Sequence, residues 1–211
     1  NLTDKKVLNM NTFHKVPASK ASLSQRKLVS GIGVNDAWYI TKPTIQGVRV
    51  VCPIFKKWQG MIRRCYASEW QEKHKAYNGC TVEKEWHTFS NFDNWCGENY
   101  IEGYELDKDI KIKGNRVYGP DTCLFVPQLI NKLFTNTKVK ENIYPTGVHH
   151  HKQNGKYLAQ LCVDGKQKRL GQFTTPELAR AVYVVAKNEE IMRKCRQYPE
   201  LKEYLLAHLE K

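Results

Sequence analysis

Apolar positions recur at three- and four-residue steps in three stretches of the chain. In IFKKWQGMIRRCY, the residues Phe55, Trp58, Met61, Ile62 and Cys65 share one side, while Lys56, Lys57, Arg63 and Arg64 fall mostly on the other. This spacing predicts an amphipathic helix with a basic face, either solvated or pressed on phosphate. VEKEWHTFSNFDNWC repeats the rhythm with Trp86, Phe89, Phe92, Trp95 and Cys96 and predicts a short helix whose aromatic stripe belongs to the core. Behind Thr175-Pro176, a capped start, the residues Leu178, Ala179, Val182, Tyr183, Ala186 and Ile191 form a third stripe. Pro199 opens a last short helix, ELKEYLLAHLEK.

Strand signals fill the intervals. TGVHHH, KYLAQLCVDG and QKRLGQFTT predict three short strands separated by the hairpin turns Asn154-Gly155 and Asp164-Gly165. Earlier, VRVVC reads as a strand end before Pro53. DIKIK, a Gly-Asn turn and Arg116-Val117-Tyr118 read as two strands, and a helix starts near Pro127 in LFVPQLINKLF. The expected class is α+β. A basic arm over 1–30, disordered by default, precedes a central ββα domain over 31–134. A linker over 135–142 then leads to a three-stranded antiparallel sheet plus helix over 143–211.

Composition narrows the function. Of 211 residues, 41% are apolar and 26% charged, which excludes wholesale disorder. No run approaches the ~18 apolar residues of a membrane span, and no signal core is present, so neither a membrane nor secretion is expected. Thirty-four Lys plus Arg against 21 Asp plus Glu leave +13, an excess that favours a polyanionic partner. Residues 1–65 carry 12 basic and 2 acidic side chains, whereas 66–110 carry 4 and 10. That acidic island is either a metal site facing phosphates or a solvated face. The seven Cys include no CxxC pair, which points to a reducing compartment and against a disulfide scaffold. A dispersed structural zinc site on Cys65, Cys80 or Cys123 stays open.

The string 147–189 resembles the Apetala/ethylene-response-factor DNA-binding domain. It shares an opening Gly147-Val148, the strand Gly155-Lys156-Tyr157-x-Ala159, the strand end Leu170-Gly171-x-Phe173, and Glu177, Ala179, Ala181 and Tyr183 on the helix. The resemblance implies a sheet laid in the major groove of double-stranded DNA and backed by the helix. His149, His151, Gln160, Cys162, Lys168 and Arg169 match its contact positions, with Lys152, Lys156 and Lys166 at turns within reach of phosphates. Of these, Arg169, Lys168 and Gln160 offer the strongest phosphate or base-edge chemistry. Adjacent strand residues alternate faces, so at most two of His149 to His151 converge, which argues against a triple-histidine metal site.

The stretches WQGMIRRCY, YNGCTVEKEWHTFSNFDNW and LDKDIKIKGNRVYGPDTCLFVPQLIN resemble phage proteins related to HNH endonucleases, which often carry the same C-terminal module. This resemblance implies one divalent metal, Mg²⁺ or Mn²⁺, held against the scissile phosphate. It assigns Asp107, Asp109 and Asn131 to the metal, Asn115 to the loop between the strands, and Arg63, Arg64 and Arg116 to the neighbourhood of phosphate. Lys108 stands where the motif histidine would be, and no histidine lies between His87 and His149. Alternatively, Asp107 and Asp109 are solvated or pair with Lys111 and Lys113. Two functions follow: a metal-dependent DNA endonuclease of homing or nicking type, or a catalytically degenerate DNA-binding regulator. A basic RNA-binding or ribosome-associated protein fits the charge but not the C-terminal module. The expected setting is the cytoplasm of a bacterial host carrying a phage; a homodimer or a protein partner is left open.

Overall fold

The computed structural model describes residues 13–134 and 143–210, so the expected linker and the first part of the arm lie outside it. Helices and small sheets mix in an α+β chain that packs as two units, Asn1–Asp109 with Gly114–Phe125, and Ile110–Lys113 with Val126–Lys211. Among the described residues no helix is long and apolar enough to cross a membrane.

In the first unit, residues 13–30 are not the loose arm their polarity predicts. A short helix, α1 (Lys20–Ser24), is capped by the Ser19 hydroxyl, which accepts from Ser22 N–H at 3.1 Å. Beyond it the Arg26 guanidinium donates to the carbonyls of Asn35, Ala37 and Tyr39 at 2.6 to 2.8 Å. A backbone bridge between Pro17 and Tyr39 ties the same segments together. The arm is thus held through main-chain acceptors, for which side-chain patterning carries no signal.

A hairpin of β1 (Thr44–Ile45) and β2 (Val48–Arg49) leads into α2 (Pro53–Tyr66). This helix buries the predicted stripe: Phe55, Trp58, Met61, Ile62 and Cys65 are all inside. Helix α3 (Ser68–Lys73) turns the chain toward β3 (Thr81–Val82), and a 3-10 turn carries Trp86. Helix α4 (Phe89–Asn99) then adds Phe89 and Phe92 to the core. Trp58 and Trp86 are fully enclosed, and the Trp58 indole donates to the Trp86 carbonyl at 2.7 Å. The Asp36 carboxylate accepts from Ser90 N–H at 2.9 Å, placing an anion on the first turn of α4.

The expected pair of strands after α4 is not formed as predicted. The strand in this stretch is β4 (Tyr104–Asp107), and DIKIK itself is bends and turns. Val117–Tyr118 is a strand, β5, but it pairs in parallel with β3, with Thr81 opposite Val117 and Val82 opposite Tyr118. The chain leaves the first unit within β6 (Leu124–Pro127), the sheet neighbour of β4, and runs straight into α5 (Gln128–Phe134).

The second unit follows its predicted outline. Strands β7 (Val148–His151), β8 (Lys156–Val163) and β9 (Lys166–Phe173) form an antiparallel meander in sequence order. Asp164 and Gly165 have φ of 48° and 80°, as a two-residue primed turn requires. Helix α6 (Pro176–Gln197), capped by the Thr175 hydroxyl on Leu178 N–H at 3.3 Å, covers one face; Ala179 packs with Val148 and Ala159. At Gly147, φ is +82° and an added Cβ would lie 2.0 Å from the Tyr183 ring, so glycine lets strand and helix close up. A short helix α7 (Lys202–Leu206) ends the described chain. The Lys187 ammonium donates to the Leu133 carbonyl, occupying an otherwise unpaired acceptor at the end of α5.

The β8–β9 turn is clamped to α6 by charge. Asp164 accepts from the buried Lys194 ammonium and from Arg193, both at 2.6 Å. The hydrogen bond from Lys194 comes first among the causes that lower the Asp164 pKa. Because the folded value lies below the unfolded ~3.9, this clamp stabilises the fold above pH ~4 and is lost as pH falls through the lower folded value. Melting temperatures of the second unit, followed by circular dichroism, are expected to drop across that acid range. Asp164→Asn is expected to melt lower at pH 7 and to show a shallower acid dependence.

Candidate nucleic-acid interface

The register of the meander decides which side chains share a face. His149 pairs with Leu158, His151 with Lys156, Gln160 with Arg169, and Cys162 with Gln167. Between Ala159 and Gln160 the register shifts: Ala159 faces Gly171 but Gln160 faces Arg169, leaving Leu170 as an extra residue on β9. Successive strand residues alternate faces. Val148, Tyr157, Ala159, Leu161 and Lys168 therefore turn toward α6, and His149, His151, Lys156, Gln160, Cys162, Gln167 and Arg169 turn away from it.

Lys168 and Arg169 thus lie on opposite faces of the sheet. Lys168 pairs with the buried Leu161 and borders a groove of about 550 Å³ that is also lined by Glu189, Glu190 and Arg193 of α6. Its ammonium belongs to the helix side, among carboxylates, not to the face that carries Arg169. Gln167, opposite Cys162, lies on the face of Arg169. The two-residue step from Arg169 to Gln167 points to it, but the bulge that fixes the phase is not legible in composition.

On the face away from α6, Lys156, Gln167 and Arg169 are exposed, and His149, His151, Gln160 and Cys162 are half-buried. Leu158 lies among them and is buried. The three strands contain no Asp or Glu and carry Lys156, Lys166, Lys168 and Arg169. Of the histidines, His150 alone turns to the other side, where its ring lies 5.2 Å from Tyr157 and 5.9 Å from Tyr144. Gln172, exposed and opposite Leu158, shares the face, which is a carboxylate-free set of donors with three amides that carry both donor and acceptor atoms.

In the first unit, Asp107, Asp109 and Asn115 come together in one loop; Asn131 lies on α5 in the second unit. Asp109 N–H donates to Asp107 Oδ1 at 2.7 Å, turning the chain as β4 ends. The Asn115 amide donates to the carbonyls of Lys108 at 2.8 Å and Val117 at 2.7 Å, and its oxygen accepts from Val117 N–H at 3.1 Å. Asn115 thus clamps the loop.

Lys108 occupies the middle of this loop. Its side chain is buried, and its ammonium donates to Asp109 Oδ1 and, at 2.9 Å, to the Asn115 carbonyl. It also lies 5.8 Å from the Tyr118 ring centroid. Asp107 and Asp109 therefore already have partners inside the loop, and a divalent ion between them would meet a fixed positive charge. At an effective dielectric of ~20, repulsion over a few ångströms is on the order of several kcal/mol. The loop residues do not fit Mg²⁺ or Mn²⁺. The cation beside Asp109 is Lys108.

The three arginines expected near phosphate diverge. Arg63 is exposed, 3.3 Å from Glu69 and 5.2 Å from the Trp70 ring. Arg116 is exposed and donates to the Asn78 carbonyl. Arg64 turns inward, its guanidinium carbon 5.7 Å from the Tyr77 ring centroid and 5.5 Å from that of Tyr118. Arg64 is a packing element of the first unit. Burial pushes the thiols of Cys65 and Cys123 up to about 12. Among the described residues no three His, Cys, Asp or Glu side chains gather closely enough to hold a metal.

Compared with known proteins, the chain matches no family model, no curated protein and no solved structure.

Asn115→Ala removes three loop hydrogen bonds at once. It is expected to destabilise the first unit by about 1–3 kcal/mol in urea titrations, leaving a buried carbonyl unpaired.

Proposed function

We propose that this protein binds double-stranded DNA and reads it with the face of β7–β9 that turns away from α6. One observation carries the reading: the register gathers His149, His151, Gln160, Gln167 and Arg169 on a single carboxylate-free face of a three-stranded sheet. An arginine and the amides of Gln160, Gln167 and Gln172 suit guanine and adenine edges in the major groove, and Lys156 at the rim suits phosphate. The net charge of +13 supports the same partner through counterion release.

The central domain is read as an HNH-type ββα unit of phage origin, working in the host cytoplasm, whose cleavage chemistry has been lost. The succession of β4, β6 and α5, together with the Asn115 clamp, supports the descent. The buried Lys108 ammonium supports the loss, because it supplies the positive charge that a metal would bring but offers no open coordination site. A DNA-binding regulator is therefore favoured over an endonuclease.

Two measurements test this. In fluorescence anisotropy with duplex DNA, Arg169→Ala is expected to weaken binding by about 1–3 kcal/mol, while Lys168→Ala changes it by less than ~0.5 kcal/mol. Equal effects of both would sink the assignment of faces. With supercoiled DNA at low salt, no nicking is expected in Mg²⁺ or Mn²⁺ beyond an EDTA control. Metal-dependent nicking that disappears in Asp107→Ala would restore the nuclease.

A further inference from the structure

The hairpin Thr41–Cys52 in the first unit continues past the core it grows from. Below its tip, Cys52 N–H donates to the Thr41 carbonyl and Val50 N–H to the Pro43 carbonyl, both at 2.9 Å. One face of this ladder carries Thr41, Pro43, Ile45, Val48, Val50 and Cys52. At its base Thr41, Pro43 and Cys52 are buried. At its tip the same face runs out of protein: Ile45 is 36% exposed, and Val48, directly opposite it, is 64% exposed. Gln46 and Gly47 close the turn with φ of 50° and 78°, a twist that keeps two strands in register without a longer loop.

Two cations flank the hairpin, Lys42 and Arg49; of the other four Lys and Arg between Ala37 and Ser68, Lys57 pairs with Glu105, Arg63 lies beside Glu69 and Arg64 turns inward. Arg49 is exposed on the opposite face of the hairpin, and Lys42 is held beside it by Gln59 Oε1 at 2.9 Å, over the Phe55 ring. An apolar protein partner would gain nothing from these two cations beside the tip, whereas a polyanion would.

We infer that this hairpin is a minor-groove wedge for duplex DNA, with Ile45 and Val48 entering between base steps and Lys42 and Arg49 against the flanking phosphates. The inference rests on the DNA-binding reading above and adds a second contact, from a different unit, that acts by deforming the duplex. Unstacking a step needs an apolar group that does not lose freedom on insertion, and β-branched Ile and Val are stiff at χ1. Gln46, exposed at the tip, brings an amide donor to the acceptors that A·T pairs present on the minor-groove floor. Partial insertion kinks the duplex toward the major groove.

The full chain would be titrated onto a mixed-sequence duplex labelled at both ends for energy transfer, and onto duplexes carrying 2-aminopurine at successive steps. The wild type is expected to raise end-to-end transfer and to brighten 2-aminopurine at one or two steps. Ile45→Ser with Val48→Ser is expected to abolish both signals and weaken binding roughly tenfold, with unchanged melting temperature. Ile45→Val with Val48→Ile keeps the apolar tip and is expected to retain both signals, which separates wedge chemistry from folding. Binding by the wild type without bending or unstacking overturns the wedge and leaves the sheet reading intact. Signals that survive in the double serine variant, or self-association lost in it while the signals persist, overturn the wedge as well. No binding by the wild type overturns both.

Discussion

A single unpaired residue, Leu170, governs the chemistry of the second unit. Without the extra residue on β9, the alternation begun at Phe173 and Gly171 would continue in step, placing Arg169 toward α6 and Lys168 outward. The bulge inverts this at mid-strand. Leu170 itself packs with Val148 and Ala159, so the inversion is paid for by hydrophobic contact on the helix side. The identity of the outward face therefore depends on apolar packing behind it. The Asp164 clamp anchors the other end of β9, so the strand is fixed at its first turn and at its bulge.

The loop after β4 uses charge differently. Two carboxylates two residues apart are mutually repulsive, and a cation must lie near them for the turn to be stable. Here the cation is part of the chain. A covalently attached ammonium needs no binding equilibrium, and it satisfies a backbone carbonyl of the same loop as well as a carboxylate. What it lacks is exchangeable coordination, the property on which hydrolysis by a metal-bound water depends.

Much of the architecture was legible in the amino-acid order, for local reasons. The helices α2, α4 and α6 and the turns Asn154-Gly155 and Asp164-Gly165 answer to short-range signals and formed where expected, although Leu178 of the α6 stripe is exposed. Failures were non-local. DIKIK has strand character but forms bends and a turn, while Val117–Tyr118 pairs with Thr81–Val82, a parallel pairing that adjacency does not suggest. Arg64 was grouped with Arg63 by periodicity; only the arrival of Tyr77 and Tyr118 shows that it points inward. Residues 13–30 look like an arm because Arg26 binds carbonyls, which every residue possesses. At the site, residue types were easier to nominate than directions: Arg169 and Gln160 came from the motif, whereas the phase that excludes Lys168 and admits Gln167 came from the bulge.

The seven cysteines have a practical meaning. All are free thiols, and all but Cys162 are buried. Five of them, Cys52, Cys65, Cys80, Cys96 and Cys123, lie in the first unit, and Cys162 and Cys195 in the second. A buried neutral thiol is almost inert to alkylating reagents and becomes reactive when its surroundings open. The protein therefore carries a built-in clock for local opening: with peptide-resolved alkylation, the rate at each cysteine reports the breathing of its own unit, and no label need be engineered into either.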